Sequence, residues 1–183
     1  MTIAAQDTIT AKLERQFDLL DADKDGRVNG AEFATIADRF IKAYGLSEDD
    51  HRARCLRAIN AMYWAELVRH VGAEGNELAK DEFVVASRLA SIDSSRLNVV
   101  DGLARTTFDV IDVDGDLQIS KEEFLRFQRD VWAVEAPEAM DVFDRVDIDG
   151  DGSISHMEFI RTVREYFLSM DPEAPGSMIF GRV

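Results

Sequence analysis

The chain has almost nothing with which to cross-link itself, carrying one cysteine, Cys55, among 183 residues. An internal disulfide framework is excluded, and the composition fits a reducing compartment. With only three histidines beside that cysteine, the chain is also short of the nitrogen and sulfur donors that zinc and copper prefer. No run approaches the roughly 18 apolar residues of a membrane span. The opening MTIAAQDTIT has neither the basic start nor the apolar stretch of a secretory leader. A cytoplasmic location is the expectation. Positive charge is scarce as well: 21 basic residues face 36 acidic ones, for a formal net charge of -15. That balance opposes binding to nucleic acid or to anionic membranes and makes cations the natural partners. Neither a glycine-rich phosphate loop nor a G-x-S-x-G motif occurs, and no enzymatic activity is expected.

The acidic residues recur in a repeat. DADKDGRVNGAEF begins at Asp21, DVDGDLQISKEEF at Asp112 and DIDGDGSISHMEF at Asp147. Each segment has acids at positions 1, 3 and 5, an aliphatic residue at 8, glutamate at 12 and phenylalanine directly after. This is the EF-hand pattern, in which a calcium ion takes six to eight hard oxygens at about 2.3 to 2.6 Å. The candidate ligands are Asp21, Asp23, Asp25, the carbonyl of Arg27 and Glu32; Asp112, Asp114, Asp116, the carbonyl of Gln118 and Glu123; and Asp147, Asp149, Asp151, the carbonyl of Ser153 and Glu158. Three calcium ions are expected, with magnesium as competitor. Three such ions would bring the formal charge from -15 to -9, so binding should stabilise the fold strongly.

A fourth copy, VGAEGNELAKDEF from Val71, keeps Leu78 at position 8 and Glu82 at 12 but offers Val71, Ala73 and Gly75 at positions 1, 3 and 5. It lacks ligands and should serve to brace loop one. Loop three departs in another way, with Leu117 at position 6, where the chain turns with positive φ and glycine is favoured. A side chain there costs about 1 to 2 kcal/mol, so site three should be weakened about five- to thirtyfold and still bind.

Apolar residues three apart precede the strong loops at Phe17 and Leu20, Phe108 and Ile111, and Phe143 and Val146. They share helix faces. Behind the loops, Phe33 with Ile36, Phe124 with Phe127, and Phe159 with Val163 do the same. The expected fold is all-α, with four EF-hands in two pairs packed as a compact globule. Short strand contacts should join Val28 to Leu78 and Ile119 to Ile154. The expected division is 1–92 for the first pair, 93–170 for the second and 171–183 for a tail. Ser47 and Asp50 are read as a capping box opening a long helix, and His156, at loop position 10, should face solvent.

The loops begin at 21, 71, 112 and 147, at intervals of 50, 41 and 35 residues. This uneven spacing, the lost second site and the tail resemble the sarcoplasmic calcium-binding proteins and their bacterial relative calerythrin. The resemblance implies one compact globule, sites one, three and four filled, and a role as calcium buffer or signal modulator. The tail DPEAPGSMIFGRV carries Met178, Ile179 and Phe180, which should fold back into an apolar groove. The remaining methionines, Met62, Met140, Met157 and Met170, are scattered and are read, with Met178, as ordinary core and tail residues rather than a target-binding groove. A monomeric intracellular buffer is the expectation. The alternative is a sensor that grips a target helix on binding calcium.

Overall fold

The computed structural model describes residues 3–72, 75–93 and 98–180. Helices α1 (Ile3–Leu20) and α2 (Gly30–Tyr44) flank strand β1 (Arg27–Asn29), and α3 (His51–Val71) and α4 (Lys80–Ile92) flank β2 (Glu77–Ala79). The pattern repeats with α5 (Val99–Ile111), β3 (Gln118–Ser120), α6 (Lys121–Trp132), α7 (Ala136–Val146), β4 (Ser153–Ser155) and α8 (His156–Leu168), before a short α9 (Pro175–Met178). Among the described residues no helix is long and apolar enough to cross a membrane.

Each helix after a binding loop starts on that loop's own residues. Asn29, Ser120 and Ser155 at position 9 cap α2, α6 and α8, and Glu32, Glu123 and Glu158 close the capping boxes by accepting from the cap N–H groups. The long helix α3 opens differently from the sequence expectation. Asp50 is its N-cap and accepts from Arg52 N–H at 2.8 Å. Ser47 only offers a carbonyl to Asp50 N–H, because a turn from Ser47 to Asp50 precedes the helix.

The strands pair antiparallel as expected, Val28 opposite Leu78 and Ile119 opposite Ile154, with all four side chains fully buried. Around them the entering helix of one hand packs on the exit helix of its partner. Phe17 meets Phe83 edge-on at 5.8 Å, and Phe108 meets Phe159 at 5.9 Å in the equivalent place. Each buried phenylalanine contributes about 1.5 to 3 kcal/mol of transfer free energy. One core cluster runs through residues of α1 to α8, and Phe40 of α2 stacks on Phe127 of α6 across it.

Four of the methionines correct the sequence reading: Met62, Met140, Met157 and Met170 are substantially exposed. Met62, Met140 and Met157 lie off the buried faces of α3, α7 and α8, and Met170 follows the end of α8. Only Met178, in the tail, is buried at 2% exposure, with Ile179 at 0%. Gly176 lies so close to α8 that a Cβ there would overlap the Thr162 carbonyl and the Glu165 side chain. Gln128 Nε2 donates to the Ile179 carbonyl at 2.7 Å, and the Phe180 ring sits 4.7 Å from both Trp132 and Tyr166. Residues 181–183 of the expected tail lie outside the described residues.

The anchor of this corner is Lys12, fully buried on α1. Its Nζ donates to the Ser169 carbonyl at 3.0 Å and Ser177 Oγ at 3.2 Å, and lies 5.4 Å from the Tyr166 ring centre. Burial lowers its pKa from the ordinary 10.5 to about 8, with the Glu165 charge opposing. Between those values the unfolded chain holds more protons than the folded one, so this group adds stability as pH rises from about 8 towards 10.5. Chemical denaturation of wild type and Lys12→Met across that range should show a smaller rise for the variant, and equal slopes would contradict the assignment. Truncation after Asp171 should increase binding of an apolar dye, and unchanged fluorescence would mean that the tail covers nothing.

Candidate metal centres

Three loops gather carboxylates, and the same backbone geometry does it in each. The position-1 aspartate accepts the N–H of position 6: Gly26 to Asp21 Oδ2 at 3.1 Å, Leu117 to Asp112 Oδ2 at 3.0 Å, and Gly152 to Asp147 Oδ2 at 2.9 Å. The position-5 aspartate accepts from position 7, from Arg27, Gln118 and Ser153 at 2.8 to 2.9 Å. The position-12 glutamate spans the loop: Glu32, Glu123 and Glu158 accept the N–H of Ala22, Val113 and Ile148 on one oxygen, and of Asn29, Ser120 and Ser155 on the other.

Leu117 therefore leaves the loop's shape intact. It adopts φ 69°, beside 83° for Gly26 and 92° for Gly152, and its side chain is 73% exposed, so it meets no clash beyond its own backbone. Position 4 is left-handed too, at Lys24, Gly115 and Gly150. Glycine at 115 removes one of the two strained positions from loop three, whereas loop one carries its side chain at position 4 instead of 6.

The groups with ligand atoms mutually within 4.8 Å are Asp21, Asp23 and Asp25; Asp112, Asp114 and Glu123; and Asp147, Asp149 and Glu158. Oxygens on opposite sides of a calcium ion at about 2.3 to 2.6 Å stand about 5 Å apart, so these sets match a hard cation in both size and donor type. Glu32, Asp116 and Asp151 stand outside the three groups. The carbonyl-bearing residues Arg27, Gln118 and Ser153 all begin strands, and Ser153 Oγ donates to Gln118 Oε1 at 3.1 Å, tying loops three and four together. Burial holds the Asp112 carboxyl above the usual carboxylate range, with repulsion from Glu123 and Asp116 adding to it against the N–H bonds of Gly115 and Leu117. Burial also acts on Glu158, but bonds from Ser155, Ile148 and Asp149 outweigh it and hold that carboxyl low.

Loop two is built for packing. Val71 at position 1 lies against the core, and Gly75 at position 5 has no side chain. Ala73 lies outside the described residues. Glu82 still accepts the Ala79 N–H at 2.9 Å. The sequence reading missed a further cluster, in which Glu66 and His70, one turn apart on α3, meet Asp93 from just beyond α4. Arg69 sits among them, 2.6 Å from Glu66 and 2.7 Å from Asp93, so a guanidinium already neutralises these acids. His156 is half-buried, its ring 4.9 Å from Phe108 rather than turned to solvent, because position 10 opens α8 on the core side. Arg52 and Arg57, from the basic stretch of α3, pair with Asp50 and Asp38.

A family model described as EF hand matches residues 13–37, 104–128 and 140–163, the three segments that carry the acidic loops. No curated protein matches the chain. Among solved structures, calcium-loaded apo-aequorin from Aequorea victoria superposes with a TM-score of 0.77 at 18% identity, over 91% of this chain and 94% of that one. A Streptomyces coelicolor calcium-binding protein described in prokaryotic calcium-mediated regulation gives 0.70 at 20%, over 87% and 97%. Magnesium-loaded apo-berovin, a ctenophore photoprotein, gives 0.70 at 20%, over 86% and 87%.

Because the strain at Leu117 is confined to the backbone, Leu117→Gly should tighten one calcium site about five- to thirtyfold and leave the number of sites unchanged. Competition with a fluorescent chelator measures this, and an unchanged affinity would remove the leucine as a determinant. The family pattern makes residues 13–37, 104–128 and 140–163 EF hands, on a fold shared along nearly the whole chain with calcium-loaded apo-aequorin.

Proposed function

We propose that the protein binds three calcium ions, through loops one, three and four, and acts as an intracellular calcium buffer whose sites magnesium occupies in competition. The observation that carries this reading is the shared bonding of the three loops, in which Leu117 N–H reaches Asp112 as Gly26 and Gly152 reach Asp21 and Asp147. Calcium would be held by the aspartates at positions 1, 3 and 5, the carbonyls of Arg27, Gln118 and Ser153, and the glutamates at position 12. Glu32, Asp116 and Asp151 are drawn in on binding. The description of berovin, in which all three calcium-binding loops bind magnesium, supports magnesium as competitor at sites of this build.

The buffer role is favoured over a sensor because Met178 and Ile179 already occupy apolar space inside the protein. A target helix would have to displace them. No catalytic role is assigned to any residue. The sensor reading keeps one observation in its favour: Met157, Leu168 and Met170 are exposed on and just beyond α8, and soft, adaptable methionines suit target surfaces.

Calorimetric titration of the demetallated protein with calcium, with and without millimolar magnesium, separates these readings. Three sites, each weakened by magnesium, are expected of the buffer. Two sites would mean that loop three is silent, and micromolar affinity indifferent to magnesium would favour the sensor. Calcium at 100 times the dissociation constant of a site should add about 2.7 kcal/mol per site to stability, readable as a rise in denaturation midpoint.

A further inference from the structure

Loop two keeps the strand pairing and the position-12 glutamate of the other loops without acids at positions 1, 3 and 5, and something other than an ion must hold it. Its strand pairs with β1 in the register that β3 and β4 use. At position 6, where loops one and four have glycine, stands Asn76 with φ 59°. Asparagine enters this left-handed region more readily than other residues with side chains. Its Oδ1 accepts a bond of 2.8 Å from the indole Nε1 of Trp64 on α3, a residue only 7% exposed.

Both partners of that bond press on loop one. A Cβ placed on Gly30 would stand 2.9 Å from Trp64 Nε1 and 3.3 Å from Asn76 Nδ2, so only glycine fits at position 10 of loop one. Gly30 lies between Asn29, which caps α2, and Glu32, the position-12 carboxylate. The same indole packs on Phe33, directly after Glu32, with ring centres 5.3 Å apart. Trp64 thus touches the backbone and the core anchor on either side of the glutamate that must close on an ion.

We infer that the Trp64–Asn76 bond does in loop two what an ion does in the other loops, and that these two residues position the calcium site of loop one. The pair fixes β2 beside β1, and with it the Arg27 carbonyl and the start of α2, before calcium arrives. Site one then needs no filled partner, in contrast to loops three and four, which meet across Gln118 and Ser153. The inference rests on the reading of loop one as a calcium site.

The test uses the full-length Glu123→Gln/Glu158→Gln protein, in which loop one alone among the acidic loops keeps its position-12 carboxylate. Calcium is titrated by calorimetry before and after adding Trp64→Phe, which keeps the ring and removes the donor, or Asn76→Gly, which keeps the backbone freedom and removes the acceptor. Each should weaken the remaining site about three- to tenfold. The two together should do little more than one alone, as expected for partners in one bond. In the otherwise unmodified protein the same substitutions should leave the two other affinities unchanged. Unaltered loop-one affinity in both variants, even with a lowered melting temperature, overturns the positioning role and reduces the pair to packing. A background protein that binds no calcium at all would instead overturn the reading of loop one on which the role depends.

Discussion

Everything in this molecule is arranged around like charges held close together. Two carboxylates about 4 Å apart repel by about 1 kcal/mol in water and about 4 kcal/mol near a protein surface, and each acidic loop holds three within 4.8 Å. The fold withstands this by turning backbone N–H groups inward, so that the carboxylates at positions 1, 3, 5 and 12 all accept bonds from their own loops. Those bonds require left-handed turns at positions 4 and 6, the turns fix where the strands begin, and the strands fix the helices that follow. The core is thus positioned outward from the repulsion it must contain.

The glutamate at position 12 shows how economical that arrangement is. It is at once a candidate ligand, the N3 residue of a capping box, and the clasp joining positions 2 and 9 of its loop. Helix start and ion site therefore cannot vary independently. In the second hand Glu82 still accepts the cap N–H of Ala79 although the loop lacks acids at positions 1, 3 and 5, which keeps α4 placed to receive Phe17 on Phe83.

Much of this was legible in the sequence because it is local. The loop spacing, the Val28–Leu78 and Ile119–Ile154 contacts and the phenylalanine flanks follow from periodicities within a dozen residues. What was not legible depends on approach across the fold. Nothing near Asn76 in the chain indicates that Trp64 donates to it, and Gly30 reads as an ordinary loop glycine until the indole is seen against it. The exposed methionines were misjudged because apolar character alone does not say which side of a helix faces the core, and His156 because position 10 is a loop position in sequence but the first residue of α8 in space. Lys12 gave no signal at all, since a lysine becomes a buried residue only through carbonyls contributed about 150 positions later.

That last contact has a consequence for how the chain is made. Lys12 lacks its acceptors, and α1 has α4 but not α8 to pack on, until the segment containing Ser169 and Ser177 has been synthesised. Closure joins residues separated by nearly the whole length of the chain, so the loop entropy is met late and in one step. A nascent chain emerging from the ribosome can form its hands one after another, but it carries an unsealed apolar seam along α1 and α8 until the final helix has passed. Aggregation during synthesis, rather than any weakness of the finished fold, is the hazard built into this architecture.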